Sequence, residues 1–415
     1  MQVKLQKAFL QGEIDIIISK SYAHRLLIMA SLADTPTKIM GRSEAKDVIQ
    51  TVNCLNSLGA NIIDTPDGYI VNPIVEKIGG VCNAGESGST LRFLLPVVAA
   101  LGTNCLFTAE GRLGQRPMKD LIECLKIGGV SVSDNAPYKV SGKLHSGDYV
   151  IRGDISSQYI TGLLLALPTL DGDSKIIIEN NIASSGYLDI TLECIEQFGV
   201  DIKKMPYGFF VKGGQKYTSP KVVIVEGDWS NAAFFLASGA LNGNIKVNGL
   251  NINSKQGDKE IFNIMKDMGA DIRYENNSVQ VQRSNLTHVE IDADSIPDLV
   301  PIISVLAACA KGNSKIKNIE RLRLKESDRI TSTMHMLDIL GIQNKYLGSL
   351  NISGGDIAGG KVDAYNDHRI VMAASVAALK AEGIVEIAQA EAVNKSYPNF
   401  FEEYKRLGGK IDVTY

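Results

Sequence analysis

Six glycines divide this chain into near-equal parts, and that periodicity restricts the fold more than any other feature of the sequence. Gly59, Gly129, Gly199, Gly269, Gly341 and Gly409 lie 70, 70, 70, 72 and 68 residues apart. Each closes an amphipathic helical pattern and opens a short β-like run. The first half carries VIQTVNCLNSLGANI, MKDLIECLKIGGVSV and YLDITLECIEQFGVDI; the second carries KEIFNIMKDMGADI, RITSTMHMLDILGIQN and NFFEEYKRLGGKIDV. Glycine suits the position just past a helix end because it enters the left-handed conformation without a Cβ clash.

A second helical pattern fills the other half of each repeat. SYAHRLLIMASLA, STLRFLLPVVAAL, SQYITGLLLALPTL, SNAAFFLASGAL, DLVPIISVLAACA and DHRIVMAASVAAL are apolar on nearly every face, which predicts helices buried at the centre of a domain. Each begins near Ser, Asp or Asn, the residue types that cap helix N-termini. β-rich runs such as VVIVEG, IKVNGL, HVEIDA and SKIIIEN lie between the helices. Each unit therefore reads as strand–helix–strand–helix–strand, six units in all. With 415 residues, two domains of about 200 residues are the natural division, three units in each. The break is expected near Val225–Asp228, giving one domain over 15–226 and another over 1–14 plus 227–415. The opening strand, Val3–Phe9, goes with the second half because the final unit needs a partner there.

Composition removes several functional classes. A formal net charge of −3 argues against a general nucleic-acid binder, which carries a basic excess. The longest apolar runs fall far short of the roughly 20 residues of a membrane span, and the N-terminus lacks an apolar signal core; a cytoplasmic protein is expected. Six cysteines form no CxxC pair and no metal-ligand spacing, so no metal is expected. Three of them, Cys54, Cys124 and Cys194, stand five residues before a closing glycine, where later units carry Ile264, Met336 and Tyr404. They are read as interchangeable apolar positions.

Function is then to be sought in polar residues that the repeat leaves unexplained, and these gather at the starts of the apolar helices. Lys20 and Ser21 with Arg25, Ser89 and Thr90 with Arg92, Ser156 and Ser157 with Gln158, Asp298, and Asp367, His368 and Arg369 all fall there. A helix N-terminus offers unpaired N–H groups and a partial positive charge, which favour anions. Buried arginine and lysine beside such ends need a counter-charge. Arg116 before Pro117, and Lys325, Glu326 and Arg329 within one short stretch, add to the set. The pattern implies an enzyme or binder for a phosphorylated or carboxylated small molecule.

At these clusters the chain resembles the EPSP synthase family of enolpyruvyl transferases. SKSYAHR, GSTLR, QRPM, GDISSQ, SIPD, LKESDR, YNDHR and KSYP occur in the family's order from Ser19 to about Phe401. The resemblance implies a two-domain inside-out α/β barrel of six βαβαβ-type units, in agreement with the period. It implies transfer of enolpyruvate from phosphoenolpyruvate to shikimate 3-phosphate without a cofactor, in a monomer, with phosphoenolpyruvate in the interdomain cleft. By the same resemblance Lys20, Ser21, Arg25, Ser156, Ser157, Gln158, Ser184, Asp298 and Lys325 hold shikimate 3-phosphate. Lys20, Gly88, Arg116, Gln158, Arg329, Arg369 and Lys395 hold phosphoenolpyruvate. Asp298 and Glu326 carry the proton transfers, Asp298 as the base, with Lys20 assisting the hydroxyl.

One residue departs from the family pattern: Glu86 stands where many members carry asparagine. Pairing of Glu86 with a cation is expected. Two other readings compete. Transfer to UDP-N-acetylglucosamine would call for a catalytic cysteine in the loop at 111–118, which has none. A non-catalytic six-repeat clamp around nucleic acid would need basic residues spread over one face.

Overall fold

In the computed structural model residues 1–182 and 186–414 are described. The chain forms two compact units, one of Ile18–Val225 and one of Met1–Ile17 together with the chain from Glu226 on. Each has its own hydrophobic core.

Six four-stranded sheets, one per repeat, share a single strand order. The second repeat shows how sequence produces it. Gly80–Asn83 runs parallel to Cys105–Thr108, and a parallel pair needs a crossover, supplied by the apolar helix Gly88–Leu101. The amphipathic helix Lys119–Ile127 follows. The hairpin of Ser131–Val132 and Tyr138–Ser141 then returns, so that Tyr138–Ser141 lies antiparallel beside Cys105–Thr108. The order is first, second, fourth, third.

Three sheets are completed by strands distant in sequence. Leu10–Asp15 precedes the helix Lys20–Leu32 but pairs in parallel with Gly243–Asn248 of the fourth repeat. Val222–Ile224 precedes the helix Trp229–Asn242 but pairs in parallel with Thr37–Met40 of the first. Gln2–Gln6 lies between Val385–Ala388 and Lys410–Thr414, antiparallel to both.

The apolar helices are buried as their composition requires. Every residue of Trp229–Asn242 and of Val300–Ala308 is buried. Gly162 lets two such helices meet, since a Cβ there would lie 2.4 Å from the Arg92 carbonyl oxygen. Cys54, Cys124, Cys194, Ile264, Met336 and Tyr404 are all buried, as equivalent core positions should be. The sixth repeat departs from the expected spacing. Its left-handed residue is Gly408, φ +105°, because the helix Phe400–Arg406 ends one residue earlier than the pattern implied. Among the described residues no helix is long and apolar enough to cross a membrane.

Candidate active site

In the unit of residues 18–225 the starts of the three apolar helices are tied together by polar side chains. Lys20, the first residue of its helix, places Nζ 2.7 Å from Asp47 Oδ2. The Asp47 carbonyl accepts from Thr90 Oγ1 at 3.3 Å, which links this pair to the second apolar helix. A buried chain reinforces the link: His24 Nδ1 to Thr51 Oγ1, Thr51 to Thr90 and Thr90 to Ser87, each 2.7 Å. Burial, then the charges of Lys20 and Arg25, holds His24 well below its usual pKa, so its ring is neutral.

The second and third helices meet at Gln158. Its Oε1 accepts from Arg92 at 2.7 Å and its Nε2 donates to Ser89 Oγ at 3.0 Å. Ser156 caps this helix by accepting from the Gln158 N–H, and Ser157 beside it is buried. Gly88 faces the same spot. A Cβ there would lie 2.9 Å from an Arg116 guanidinium nitrogen and 3.4 Å from Gln158 Oε1. Five residues spread over two repeats thus surround one helix N-terminus, where an anion gains both N–H donors and cations.

Arg25 is held differently. Its guanidinium donates to Thr191 Oγ1 (2.8 Å), the Ser21 carbonyl (2.6 Å) and the Tyr187 carbonyl (3.1 Å) and lies over the Phe93 ring. It is 2 % exposed and makes no salt bridge with a described carboxylate. Burial lowers its pKa to about 10. An arginine so placed gains most from an arriving carboxylate. Ser184, also expected at the anion site, lies outside the described residues.

In the other unit, Asp298, Lys325, Glu326, Arg329 and Arg369 form one ionic cluster. Asp298 accepts from Arg329 at 2.8 Å and Lys325 at 3.3 Å, and Arg369 stands 3.6 Å from its second oxygen. Arg329, 1 % exposed, also binds Glu326 at 2.6 Å and Asp367 at 2.9 Å. Asp367 caps the next helix through the Arg369 N–H. Arg369 donates to the Ser230 carbonyl at 2.9 Å, and Lys395 donates to the Asn366 carbonyl at 2.6 Å. Tyr365 and Asn366, both left-handed at φ +51° and +53°, make the sharp entry that aims this helix start.

Charge decides the protonation states here. Burial alone would raise the Asp298 pKa, but Lys325, Arg369 and Arg329 outweigh it and hold the carboxyl well below the usual range. It is a carboxylate at neutral pH. Arg329 is likewise opposed by burial and more than restored by Asp367, Glu326 and Asp298, so its pKa is raised.

Two acidic partners, Asp47 and Asp258, escaped the sequence reading as site residues, and the pairing of a third, Asp367, was not foreseen. Asp47 sits in the first turn of an amphipathic helix, an ordinary place for an acid. Asp367 was grouped with His368 and Arg369 at a helix start, but its bond to the buried Arg329 was not read from the sequence. Asp258, in the short 3-10 helix Gly257–Glu260, had no signal at all. It is buried beside Asp298, Asp228, Ser230 and Arg369. Burial, then Asp298, pushes its pKa up to about 7, against Ser230 and Arg369.

A raised acid pKa contributes stability that is complete below the unfolded value and lost as pH rises through the folded one. Asp258→Asn is therefore expected to gain on the parent protein in urea midpoint as pH goes from 4 to 8. A difference that stays constant over that range would show that Asp258 does not titrate in this way.

Among the described residues no group of three or more His, Cys, Asp or Glu could hold a metal ion.

Comparison with known proteins agrees with this chemistry. The family model described as EPSP synthase (3-phosphoshikimate 1-carboxyvinyltransferase) matches residues 5–404. A 3-phosphoshikimate 1-carboxyvinyltransferase of Clostridium acetobutylicum is 41% identical over 421 residues, covering 99% of this chain and 98% of the relative. One from Clostridium novyi is 39% identical over 427 residues, with the same coverage. An EPSP synthase structure from Acinetobacter baumannii superposes with a TM-score of 0.85 at 25% identity, covering 100% of both chains. The enolpyruvyl transferase NikO of Streptomyces tendae, 17% identical, has a TM-score of 0.82 over 100% of this chain and 98% of its own, which speaks for the fold alone. With a family match over residues 5–404 and relatives at about 40% identity over nearly the whole chain, the chain belongs to the EPSP synthase family.

Proposed function

We propose that the chain transfers the enolpyruvyl group of phosphoenolpyruvate to the 5-hydroxyl of shikimate 3-phosphate, releasing phosphate, in aromatic amino acid biosynthesis. Family membership supports the reaction. The observation that carries the assignment of residues is the gathering of Gly88, Ser89, Arg92, Arg116 and Gln158 around one helix N-terminus.

In this reading Ser21, Arg25, Ser156, Ser157, Ser184, Gln158 and Lys325 hold shikimate 3-phosphate, Arg25 through the carboxylate. Gly88, Arg116, Gln158, Arg329, Arg369 and Lys395 hold phosphoenolpyruvate, and Lys20 contacts both substrates. Asp298 accepts the proton of the attacking hydroxyl, and Glu326 serves the methylene carbon. The hydroxyl oxygen bonds to the central carbon of phosphoenolpyruvate as the methylene gains a proton. The tetrahedral adduct then loses phosphate and a methyl proton, restoring the double bond. Neighbouring cations keep Asp298 ionised and so able to accept a proton, while lowering its basicity. The reading also places the protein in the cytoplasm as a monomer, which light scattering tests.

The decisive assay is phosphate release from phosphoenolpyruvate with shikimate 3-phosphate or UDP-N-acetylglucosamine as acceptor. Release that requires shikimate 3-phosphate is expected. Release with the sugar nucleotide alone, or with neither acceptor, would overturn the reading.

A further inference from the structure

Glu86 is the acidic residue that the family pattern does not account for, and its surroundings give it a role. The strand end at Asn83 and the loop after Thr108 are stitched together. Ala84 N–H donates to the Thr108 carbonyl at 3.0 Å, Glu110 N–H to the Gly85 carbonyl at 2.7 Å, and Asn83 Nδ2 to Glu110 Oε1 at 2.9 Å. Glu86, half-buried, extends from this seam onto the backbone of Gly111. A Cβ at Gly111 would lie 2.5 Å from Glu86 Oε2, so the carboxylate occupies the space that any other residue would fill. Gly111 is left-handed, φ +53°. The chain then turns through Leu113–Gln115 to Arg116, whose guanidinium returns to the backbone of Gly88, two residues beyond Glu86.

We infer that Glu86 is a positioning residue: its carboxylate seats the 110–116 loop on Gly111 and so holds Arg116 against Gly88, tuning affinity for phosphoenolpyruvate. The inference rests on the reading that Arg116 binds phosphoenolpyruvate. A carboxylate near an anion site would by itself weaken anion binding, since like charges repel. Placed against the loop, it does the opposite by fixing a guanidinium that would otherwise sample other rotamers. Gly111 and Glu86 act as one fitted pair, so their substitutions should not add.

The test measures KM for each substrate in Glu86→Ala, Glu86→Gln, Gly111→Ala and the double variant Glu86→Ala/Gly111→Ala. Glu86→Ala and Gly111→Ala are each expected to raise KM for phosphoenolpyruvate about tenfold, with KM for shikimate 3-phosphate unchanged. Glu86→Gln, which fills the same space, is expected to recover most of the loss. The double variant should be no worse than either single one. Strictly additive losses, or Glu86→Ala with an unaltered KM for phosphoenolpyruvate, would overturn the inference. Failure of the underlying reading would look different: the parent protein itself would release no phosphate with shikimate 3-phosphate.

Discussion

Asp298→Asn is expected to lower turnover by about 10²–10⁴-fold and to destabilise its unit by about 1–3 kcal/mol. Both effects come from one carboxylate. Asp298 binds Arg329 and Lys325 directly and stands near Arg369. Asparagine preserves the shape but takes one negative charge away from Lys325, Arg329 and Arg369, while the buried Arg329 keeps Glu326 and Asp367. Breaking a buried ion pair from one side costs most when the survivor is left uncompensated, and the two carboxylates that Arg329 keeps hold the cost below that extreme. The catalytic loss has a separate origin, since an amide cannot take the hydroxyl proton. The two can be separated by adding phosphoenolpyruvate, whose charges restore balance among the cations. The thermal midpoint of Asp298→Asn should then rise more than that of the parent protein, while turnover stays low. Activity within threefold of the parent would remove Asp298 from the mechanism.

Lys20→Met is expected to abolish measurable phosphate release, a loss of about 10²–10⁴-fold for a group that handles both charge and proton, with a smaller effect on folding. Lys20 stands at the first position of its helix, and its Nζ bonds Asp47. The pair with Asp47 is mostly buried, so its loss costs more than the ~0–1 kcal/mol of a surface pair, and the thermal midpoint should fall by several degrees. Lys20→Arg should not rescue activity, because the guanidinium fork neither fits the compact position of an ammonium nor gives up a proton near neutral pH. A Lys20→Met variant that turns over normally would show that the pair with Asp47 is structural.

What was legible in the sequence follows from the range of each interaction. The closing glycines and apolar helices are local features, read from spacing and side-chain type, and five of the six glycines stand where the spacing implied. Gly409 was one residue out because Gly408 beside it serves equally well, and only the length of Phe400–Arg406 decides between them. Cationic site residues were visible because a buried arginine is costly and therefore noticeable. Their partners Asp47 and Asp258 were not, since an aspartate in the first turn of a helix already has an adequate local explanation, and Asp367 was singled out without its pairing to Arg329. The exchanged strands Leu10–Asp15 and Val222–Ile224 carry no local mark of their partners at all. Strand pairing is chosen by the sheet that receives the strand.

Those distant pairings also set an order of events while the chain is being made. The unit of residues 18–225 has all its strands once Ile224 has left the ribosome. Residues 2–6 instead await strands at 385–388 and 410–414, and residues 10–15 await 243–248. The first segment synthesised is thus among the last to pair, exposed through most of translation, and pairings of such long sequence separation form slowly. Nascent-chain truncations should show protease resistance for the inner unit well before the outer one. The N-terminal fifteen residues are consequently the segment on which a holding chaperone would act.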